Sequence, residues 1–208
     1  MERIKISKNN FEETVDRAVE VLGNGGVVVV PTDTVYGLAA DAGNEKAVKK
    51  VFEIKGRAED KKLPVFVSSF EMLGQNSVLM SEPSSDRKGG FGSFLKKAWP
   101  GKITCVLKTK GGGTIAVRMP NYELVLSIIE KFGGPITGTS ANVTGKPEHT
   151  KIDELIAEFN GLRVQPDLIL DAGDLPPSKP STVLDCTIWS PKILRDGAVS
   201  QEELKKIL

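Results

Sequence analysis

The chain has 208 residues, and its 28 Lys and Arg nearly balance its 27 Asp and Glu, leaving a net charge of +1. This balance does not support a global basic field, so any polyanion must be met by a local site. No stretch approaches the roughly 20 apolar residues that span a bilayer, and residues 1–6 lack a signal-peptide core. We therefore expect a cytoplasmic, soluble protein with no membrane partner, folded as a single domain over residues 1–208.

The first part of the chain alternates helical and strand-like patterns. Apolar residues within 11–22 recur at helical spacing, and glycines then end this helix before the apolar run 27–30, which predicts a buried strand. Asn44 is a suitable cap for a second helix, which ends at 55–57. The segment 74–92 is rich in Ser, Pro, Asp and Gly and is predicted to be a long mobile loop.

The rest of the chain mixes hairpin-like pairs with strand-helix alternation. Further strand-like runs lie at 65–67, 103–107, 115–117, 168–170, 182–184 and 192–194. Helical patterns lie at 91–99, 124–132, 152–159 and 200–207. Two of the strand-like runs are joined across three glycines, as in a hairpin. This mixture predicts an α/β (α+β) fold with a mixed twisted sheet and flanking helices, rather than a purely parallel sheet.

The segment 138–145 has the composition of an anion site. It contains three hydroxyl side chains, one amide and two glycines, which let main-chain N–H groups approach an oxyanion closely. A polar turn before a helix that begins near Thr150 would have a similar composition, and both interpretations stay open on these residues alone. The segment is not a Walker A loop, because six residues separate its glycines and Pro147 stands where that motif requires Ser or Thr.

Several basic side chains stand where they could bind an anion. Lys55 and Arg57 flank a glycine at the end of a predicted helix, and we interpret them as exposed cations whose removal leaves the fold intact. Arg118 and Arg195 follow strand-like runs, where an arginine can grip a carboxylate or phosphate through paired N–H groups. The alternative for Lys55 and Arg57 is that they only complement the negative end of the helix dipole. The alternative for Arg118 and Arg195 is that each forms a surface ion pair.

Other catalytic chemistry finds little support. Cys105 and Cys186 lie in strand-like contexts and are predicted to be buried thiols, without a zinc or disulfide pattern. His149 has no evident partners for a triad or a metal and is interpreted as a solvated loop histidine. No carboxylate pair suggests glycosidase or two-metal chemistry, so no side chain is predicted to be a metal ligand.

Seven ordered blocks of the sequence resemble the YrdC/YciO-like family over about residues 11–200. The blocks lie at 31–38, 55–57, 99–104, 117–120, 139–145, 181–185 and 193–200. The best-known family members are threonylcarbamoyl-adenylate synthases, which serve tRNA modification. Longer members carry an additional C-terminal domain, so this chain resembles the short form. The resemblance implies a mixed α/β fold around a large, positively lined cavity.

The resemblance also implies a reaction. ATP and L-threonine would share the cavity, with bicarbonate as the third reactant. The threonine amine would capture bicarbonate as a carbamate, with loss of water. The carbamate oxygen would then attack the α-phosphate and release pyrophosphate, leaving L-threonylcarbamoyladenylate. Mg²⁺ is expected to bridge the phosphates, since the leaving group is highly anionic. A downstream tRNA threonylcarbamoyl-transferase machinery would transfer the product to adenosine N6 in tRNA.

The family pattern implies a role for each site residue. Lys55 and Arg57 would be catalytic, through positioning and charge stabilisation. The residues that would line ATP are Lys55, Arg57, Lys61, Thr114, Ser140, Asn142 and Arg195. The residues that would contact threonine are Thr34, Arg118, Gly138 and Ser181. Arg118 would be the partner of the threonine carboxylate.

Three positions depart from the family pattern. Lys62 stands where a proline is usual, Glu148 stands where a small residue is common, and Phe66 lies at a place that differs among members. A YciO-like enzyme with a different substrate and a double-stranded RNA-binding protein are therefore retained as alternatives. The hydroxyl and amide cluster at 139–144 favours an enzyme, because binding an RNA backbone needs cations but not this variety of groups.

Overall fold

The computed structural model describes residues 1–59, 62–75, 91–188 and 190–208. The strands are β1 (Glu2–Lys5), β2 (Val28–Val30), β3 (Gly37–Ala39), β4 (Val65–Phe66), β5 (Ile103–Lys108), β6 (Thr114–Arg118), β7 (Ile136–Thr137), β8 (Thr139–Ser140), β9 (Leu168–Asp171), β10 (Thr182–Asp185) and β11 (Lys192–Arg195). The helices are α1 (Phe11–Gly23), α2 (Glu45–Lys55), α3 (Phe70–Gln75), α4 (Phe91–Ala98), α5 (Glu123–Phe132), α6 (Ile152–Asn160) and α7 (Gln201–Ile207). A short 3₁₀ helix, Lys8–Asn10, precedes α1.

Local sequence explains where several helices begin and end. The Asn44 side chain accepts hydrogen bonds from two main-chain N–H groups in the first turn of α2, as predicted. Gly56 ends that helix in the left-handed region, at φ 55°. Ser200 and Glu203 form a capping box at the start of α7, in which each side chain accepts from the other residue's main-chain N–H.

The strands form two mixed sheets. Their orders are β1-β9-β2-β3-β8 and β11-β10-β5-β6-β4-β7. In the first sheet β9 pairs parallel with β1 and β2, whereas β3 pairs antiparallel with β2 and β8. In the second sheet β5 pairs parallel with β10 and antiparallel with β6, which is the predicted hairpin. The predicted mixed α/β fold is confirmed, with its strands divided between two sheets rather than joined in one.

The chain passes from the second sheet to the first at Gly138. Thr137 ends β7 in the second sheet, and Thr139 begins β8 in the first. A Cβ atom at Gly138 would lie 2.3 Å from the ring of Phe66, which is buried in β4. Because glycine has no Cβ, it allows this close approach. The two sheets therefore meet edge to edge at this residue.

Two hydrophobic clusters cover the two faces of the first sheet. Val28 and Val30 belong to one cluster together with α1 and α5, whereas Val29 belongs to the other together with α2 and α6. This alternation follows from the two-residue period of a strand, and it explains why β2 reads as a continuous apolar run. Cys105 and Cys186 are both buried and free, as predicted.

Some short elements were not predicted. These elements are the strands β1, β3, β7 and β8, with two to four residues each, and the helix α3, with six. None of them was marked by a strand-like or helical pattern, whereas the equally short β4 was marked by the run 65–67. The predicted loop 74–92 overlaps α3 at its first two residues and α4 at its last two. The rest of the predicted loop, 76–90, lies outside the described residues. Within the described ranges, no helix has the length and apolar character needed to cross a bilayer.

Gly197 provides a test of the packing near β10. A Cβ there would lie 2.4 Å from Pro180 O and 2.5 Å from main-chain atoms of Ser181 and Thr182. Because backbone atoms yield little, we expect Gly197→Ala to lower the free energy of unfolding, measured by urea denaturation, by about 1 to 3 kcal/mol. At Gly23 in α1 a Cβ meets nothing within 4 Å.

Gly23→Ala is therefore the matched control for this test. We expect it to leave stability unchanged or to raise it by up to about 1 kcal/mol, since alanine favours a helix more than glycine does. Equal unfolding curves for the two variants would show that the close backbone contact at Gly197 does not exclude a Cβ atom.

Candidate active site

The junction of the two sheets contains a pocket of about 480 Å³. This is a usual size for a small-molecule site. The residues predicted from the sequence that line it are Thr34, Lys55, Arg57, Arg118, Gly138, Ser140, Asn142, Ser181 and Arg195. Thr114 is exposed and does not line it, because it lies at the far end of β6. Lys61 lies outside the described residues.

The pocket is strongly cationic. The basic residues that line it are Lys55, Arg57, Lys62, Arg118, Lys146 and Arg195. Glu148 is the single carboxylate among the described lining residues. Since the whole chain carries a net charge of only +1, the positive charge is a local property of this pocket. Such a wall suits a polyanion such as a triphosphate.

Arg118 lies at the centre of a buried polar network. Its Nε donates to Gly101 O at 2.9 Å, its Nη1 donates to Thr34 Oγ1 at 3.0 Å and its Nη2 donates to Asp33 Oδ1 at 2.5 Å. Burial lowers the pKa of Arg118, and the adjacent Asp33 carboxylate opposes this shift. These bonds use three of the five N–H groups of the guanidinium, so one on each Nη atom remains for a ligand.

The threonine pair at 32–34 orders the Arg118 network further. Thr32 Oγ1 donates to Val35 O at 2.7 Å and lies 3.0 Å from Thr34 Oγ1. Since the proton of Thr32 is used, the Thr34 hydroxyl must donate to Thr32 and accept from Arg118. Thr34 is therefore held in one orientation. Sequence reasoning assigned no role to Thr32 or Asp33, although both lie within the recognised block 31–38.

A second polar group consists of Thr104 on β5, Ser181 just before β10 and Arg195 on β11. Thr104 Oγ1 and Ser181 Oγ are 2.8 Å apart, and Arg195 Nη2 donates to Ser181 O at 2.8 Å. Thr104 also lines the pocket, although sequence reasoning assigned it no role. Because β10 pairs parallel with β5, with Val183 opposite Thr104, the residue just before β10 lies close to Thr104. Burial lowers the pKa of Arg195, while the negative charge of Glu148 opposes this shift.

Lys55 lines the pocket, but its side chain is buried rather than exposed. Its side chain is 3% exposed, and its Nζ donates to Ser140 O at 2.6 Å, Asn142 O at 2.9 Å and Asn142 Oδ1 at 3.1 Å. The expectation of an exposed cation is wrong for Lys55, because the last turn of α2 packs under the turn 140–142. All three ammonium donors are used by this turn. Burial and the nearby Arg57 charge lower the pKa of Lys55 to about 8.

Arg57 differs from Lys55 in its surroundings. Its side chain is half-buried and lines the pocket, and its Nε is buried without a hydrogen-bond partner in the part of the chain that the structure describes. A buried donor without a partner costs free energy, which an anionic ligand would recover. Arg57 is therefore better placed than Lys55 to contact a phosphate.

Polar groups of the turn 140–142 also form hydrogen bonds with one another and with neighbouring residues. Ser140 Oγ donates to Asn142 Oδ1 at 2.7 Å, and Asn142 Nδ2 donates to Lys146 O at 2.6 Å. Thr144 N donates to Lys55 O at 2.8 Å. These bonds join the predicted anion segment to the end of α2, so the segment is an ordered wall of the pocket.

His149 is buried, which overturns the interpretation of a solvated loop histidine. It is 8% exposed, its carbonyl accepts from Tyr36 N at 3.0 Å and its Nε2 lies 3.4 Å from Glu158 Oε2. The loop that carries it folds back against α6, which sequence spacing did not indicate. Among the described residues, no group of three His, Cys, Asp or Glu side chains could hold a metal ion.

A comparison with protein families identifies the family of this chain. The model of the Sua5/YciO/YrdC family, described as telomere recombination, matches residues 20–197. The chain belongs to this family. The resemblance inferred from the seven blocks is therefore confirmed.

Relatives and solved structures extend this finding. Threonylcarbamoyl-AMP synthase of Pyrococcus abyssi is 38% identical over 99% of this chain and 60% of that protein, and the Bacillus subtilis enzyme of the same name is 34% identical over 93% and 56%. The chain thus spans less than two thirds of the length of these relatives. The structure of P. abyssi Sua5 complexed with L-threonine has a TM-score of 0.85 at 34% identity, covering all of this chain and 60% of that one. Escherichia coli YciO, at 24% identity and a TM-score of 0.77 over 98% of both chains, shares the fold.

The buried ammonium of Lys55 predicts a pH-dependent stability. Between the folded pKa of about 8 and the ordinary value of 10.5, the unfolded chain binds a proton that the folded protein has lost, so stability rises with pH. We expect the free energy of unfolding of the natural protein, relative to Lys55→Met, to increase by about 1 to 3 kcal/mol across this range. Urea denaturation at several pH values measures it.

Lys49→Met is the control for this measurement, since Lys49 is an exposed lysine of the same helix. The stability difference between this variant and the natural protein should not change with pH over the same range. The prediction is wrong if the difference in free energy of unfolding between the natural protein and Lys55→Met is also independent of pH. In that case the three oxygen acceptors hold the pKa of Lys55 near its ordinary value.

Proposed function

We propose that the chain is a nucleotidyltransferase that forms L-threonylcarbamoyladenylate and pyrophosphate from L-threonine, bicarbonate and ATP. One observation carries this proposal: a single pocket combines a cationic wall with three separate hydroxyl and amide groups, at Thr34, Ser181 and 140–142. A polyphosphate needs the cations, and a small amino acid needs the oriented hydroxyls. The names of the relatives and the threonine-bound Sua5 structure support the same reaction.

The threonine end of the pocket would be built around Arg118. Its two remaining N–H groups suit a carboxylate, and the fixed Thr34 hydroxyl lies 3.0 Å from the guanidinium. Ser181, with its hydroxyl shared with Thr104, and Gly138, against which the Phe66 ring packs, complete this part of the wall. Here the pocket combines charge, hydroxyls and an apolar ring, as an amino acid with a hydroxyl and a methyl group requires.

The nucleotide end would be built around Arg57, Arg195 and the turn 140–142. Arg57 would complete the hydrogen bonding of its buried Nε on a phosphate. Thr114 lies two residues from Ala116 on the same face of β6, so it would extend this wall outward, and Lys62 donates to its carbonyl at 2.9 Å. Lys61 is retained as a nucleotide contact from the family pattern alone.

Catalysis would need no protein nucleophile. The threonine carbamate oxygen forms a bond to the α-phosphorus as the bond from that phosphorus to the bridging oxygen of pyrophosphate breaks. The pocket would hold the two reactants in line and neutralise the charge that develops on the phosphates. Arg57 would neutralise it directly, and Lys55 would act by holding the turn 140–142. Mg²⁺ would be bound mainly by the phosphates, with Glu148 as the available lining carboxylate, and would add further neutralisation.

The partners follow from the proposed product. A tRNA threonylcarbamoyl-transferase machinery would consume the adenylate to modify adenosine N6. A YciO-like enzyme with a different substrate is the second candidate, because the same fold extends over 98% of E. coli YciO. Direct contact with double-stranded RNA would be a secondary property, since the basic groups described above line a pocket rather than an extended face.

Arg57→Ala tests the proposed chemistry. Pyrophosphate release from ATP and Mg²⁺ should require both L-threonine and bicarbonate, and it should fall on the order of 100-fold in this variant because phosphate charge is no longer neutralised. Arg163→Ala, which removes an exposed arginine away from the pocket, is the control and should retain full activity. Release that depends on neither reactant, or that survives in Arg57→Ala, would exclude this assignment.

Ser181→Ala tests amino-acid recognition separately. Loss of one hydroxyl should raise KM for threonine about fivefold, with little change in KM for ATP, since a single hydrogen bond contributes about 1 kcal/mol. Ser178→Ala, at a half-buried site three residues earlier that does not line the pocket, should leave both values unchanged. Equal rises in both KM values would contradict the placement of Ser181 at the threonine end. Pyrophosphate release with another amino acid but not threonine would favour the YciO-like alternative.

A further inference from the structure

Helix α6 places a buried carboxylate directly behind the wall of the pocket. The side chain of Glu158 is 8% exposed, and the residue does not line the pocket itself. Its Oε1 accepts a hydrogen bond from Val143 N at 2.7 Å. Its Oε2 lies 3.4 Å from His149 Nε2 and 3.6 Å from Lys146 Nζ. The proposed reaction uses none of these contacts.

All three contacts of Glu158 fall on one segment, 143–149. Residues of the same segment, including Lys146 and Glu148, line the pocket on its opposite side. One carboxylate therefore contacts the beginning, the middle and the end of a segment whose other surface faces the ligand. Because Leu155 and Phe159 anchor α6 in the second hydrophobic cluster, the carboxylate has a rigid support.

Glu158 and Lys55 hold this wall from two different helices. Lys55, on α2, binds carbonyl oxygens of Ser140 and Asn142, whereas Glu158, on α6, binds the N–H of Val143. The cation thus takes main-chain acceptors, and the anion takes a main-chain donor. With these groups occupied, the peptide units at 140–143 have little freedom to rotate.

Glu158 remains ionised in this environment. Burial acts to raise its pKa, but the Val143 N–H and the neighbouring His149 and Lys146 outweigh burial, so the pKa lies below its ordinary value. The negative charge of Glu158 also acts to raise the pKa of Lys55, which supports the ammonium form of that lysine. The two charged groups are therefore coupled through the segment between them.

We propose that Glu158 is a positioning residue, which holds the segment 143–149 from behind and thereby orders the nucleotide end of the pocket. The proposal rests on the function proposed above. Glu158 would not touch the substrates. It would act through Val143 and Lys146 on the affinity for ATP, and it would leave the threonine end around Arg118 unchanged.

Three variants distinguish the hydrogen-bond acceptor of Glu158 from its negative charge. Glu158→Ala removes both the acceptor and the charge, whereas the side-chain oxygen in Glu158→Gln can still accept from Val143 N. We expect Glu158→Ala to raise KM for ATP on the order of tenfold, with less than a threefold change in kcat and in KM for threonine. Glu158→Gln should recover most of this loss. Glu154→Ala, an exposed position one turn earlier on α6, should resemble the natural protein.

Hydrogen exchange of the Val143 amide provides a readout that needs no substrate. It should be slow in the natural protein and in Glu158→Gln, and at least tenfold faster in Glu158→Ala. Binding of a non-hydrolysable ATP analogue, measured by calorimetry, should follow the same order. These two measurements remain informative if the natural protein releases no pyrophosphate, so failure of this proposal is distinguishable from failure of the proposed function.

Several outcomes would overturn the proposal. Unchanged Val143 exchange in Glu158→Ala would show that the carboxylate does not hold the segment. Equal losses of affinity for ATP and threonine would indicate a general structural role rather than a local one. If Glu158→Ala does not fold, Glu158→Gln and Glu158→Asp are compared instead. The aspartate side chain is too short to reach Val143 N, so Glu158→Asp should weaken ATP binding more than Glu158→Gln does. The opposite order would also overturn the proposal.

Discussion

The chain leaves one sheet and enters the other across a single glycine, and every wall of the pocket depends on that crossing. Because Gly138 has no Cβ, the ring of Phe66 can lie against its backbone, and β7 and β8 can belong to different sheets although one residue separates them. This close approach brings the turn 140–142 next to the end of α2. It also places Arg118 and the loop 31–36 around the same space.

The cations of the pocket differ in how many of their hydrogen bonds are already made within the protein, and this difference separates structural from ligand-binding roles. Arg118 and Lys55 are buried, and oxygen atoms of the protein already accept most of their hydrogen bonds. Such groups orient the wall, because breaking their contacts would leave a buried charge unpaired. Arg57 has a buried Nε without a partner among the described residues, so a ligand can complete its hydrogen bonding. The pocket thus combines a fixed frame with a cation available for binding.

The recognised blocks of sequence correspond to the parts of this frame. Periodicity was sufficient for the longer helices and for β2, whose apolar run reflects burial on both faces. Asn44 and the Ser200 capping box marked helix starts because capping is a local interaction between residues close in sequence. The short strands β7 and β8 had no such local signal. Their pairing partners lie far away in the chain.

The sequence by itself determined the fold class, because the fold class depends on residue types and on local spacing. Its ordered blocks also identified the family, and the family resemblance implied nine of the residues that line the pocket. Only the tertiary structure decided how those residues act. Lys55 reads as a helix-end cation, yet it is buried under a turn 85 residues away, and His149 reads as a loop residue, yet it packs beside Glu158. Burial and long-range partners set the charge, orientation and availability of a side chain, and neither is encoded in its immediate sequence neighbours.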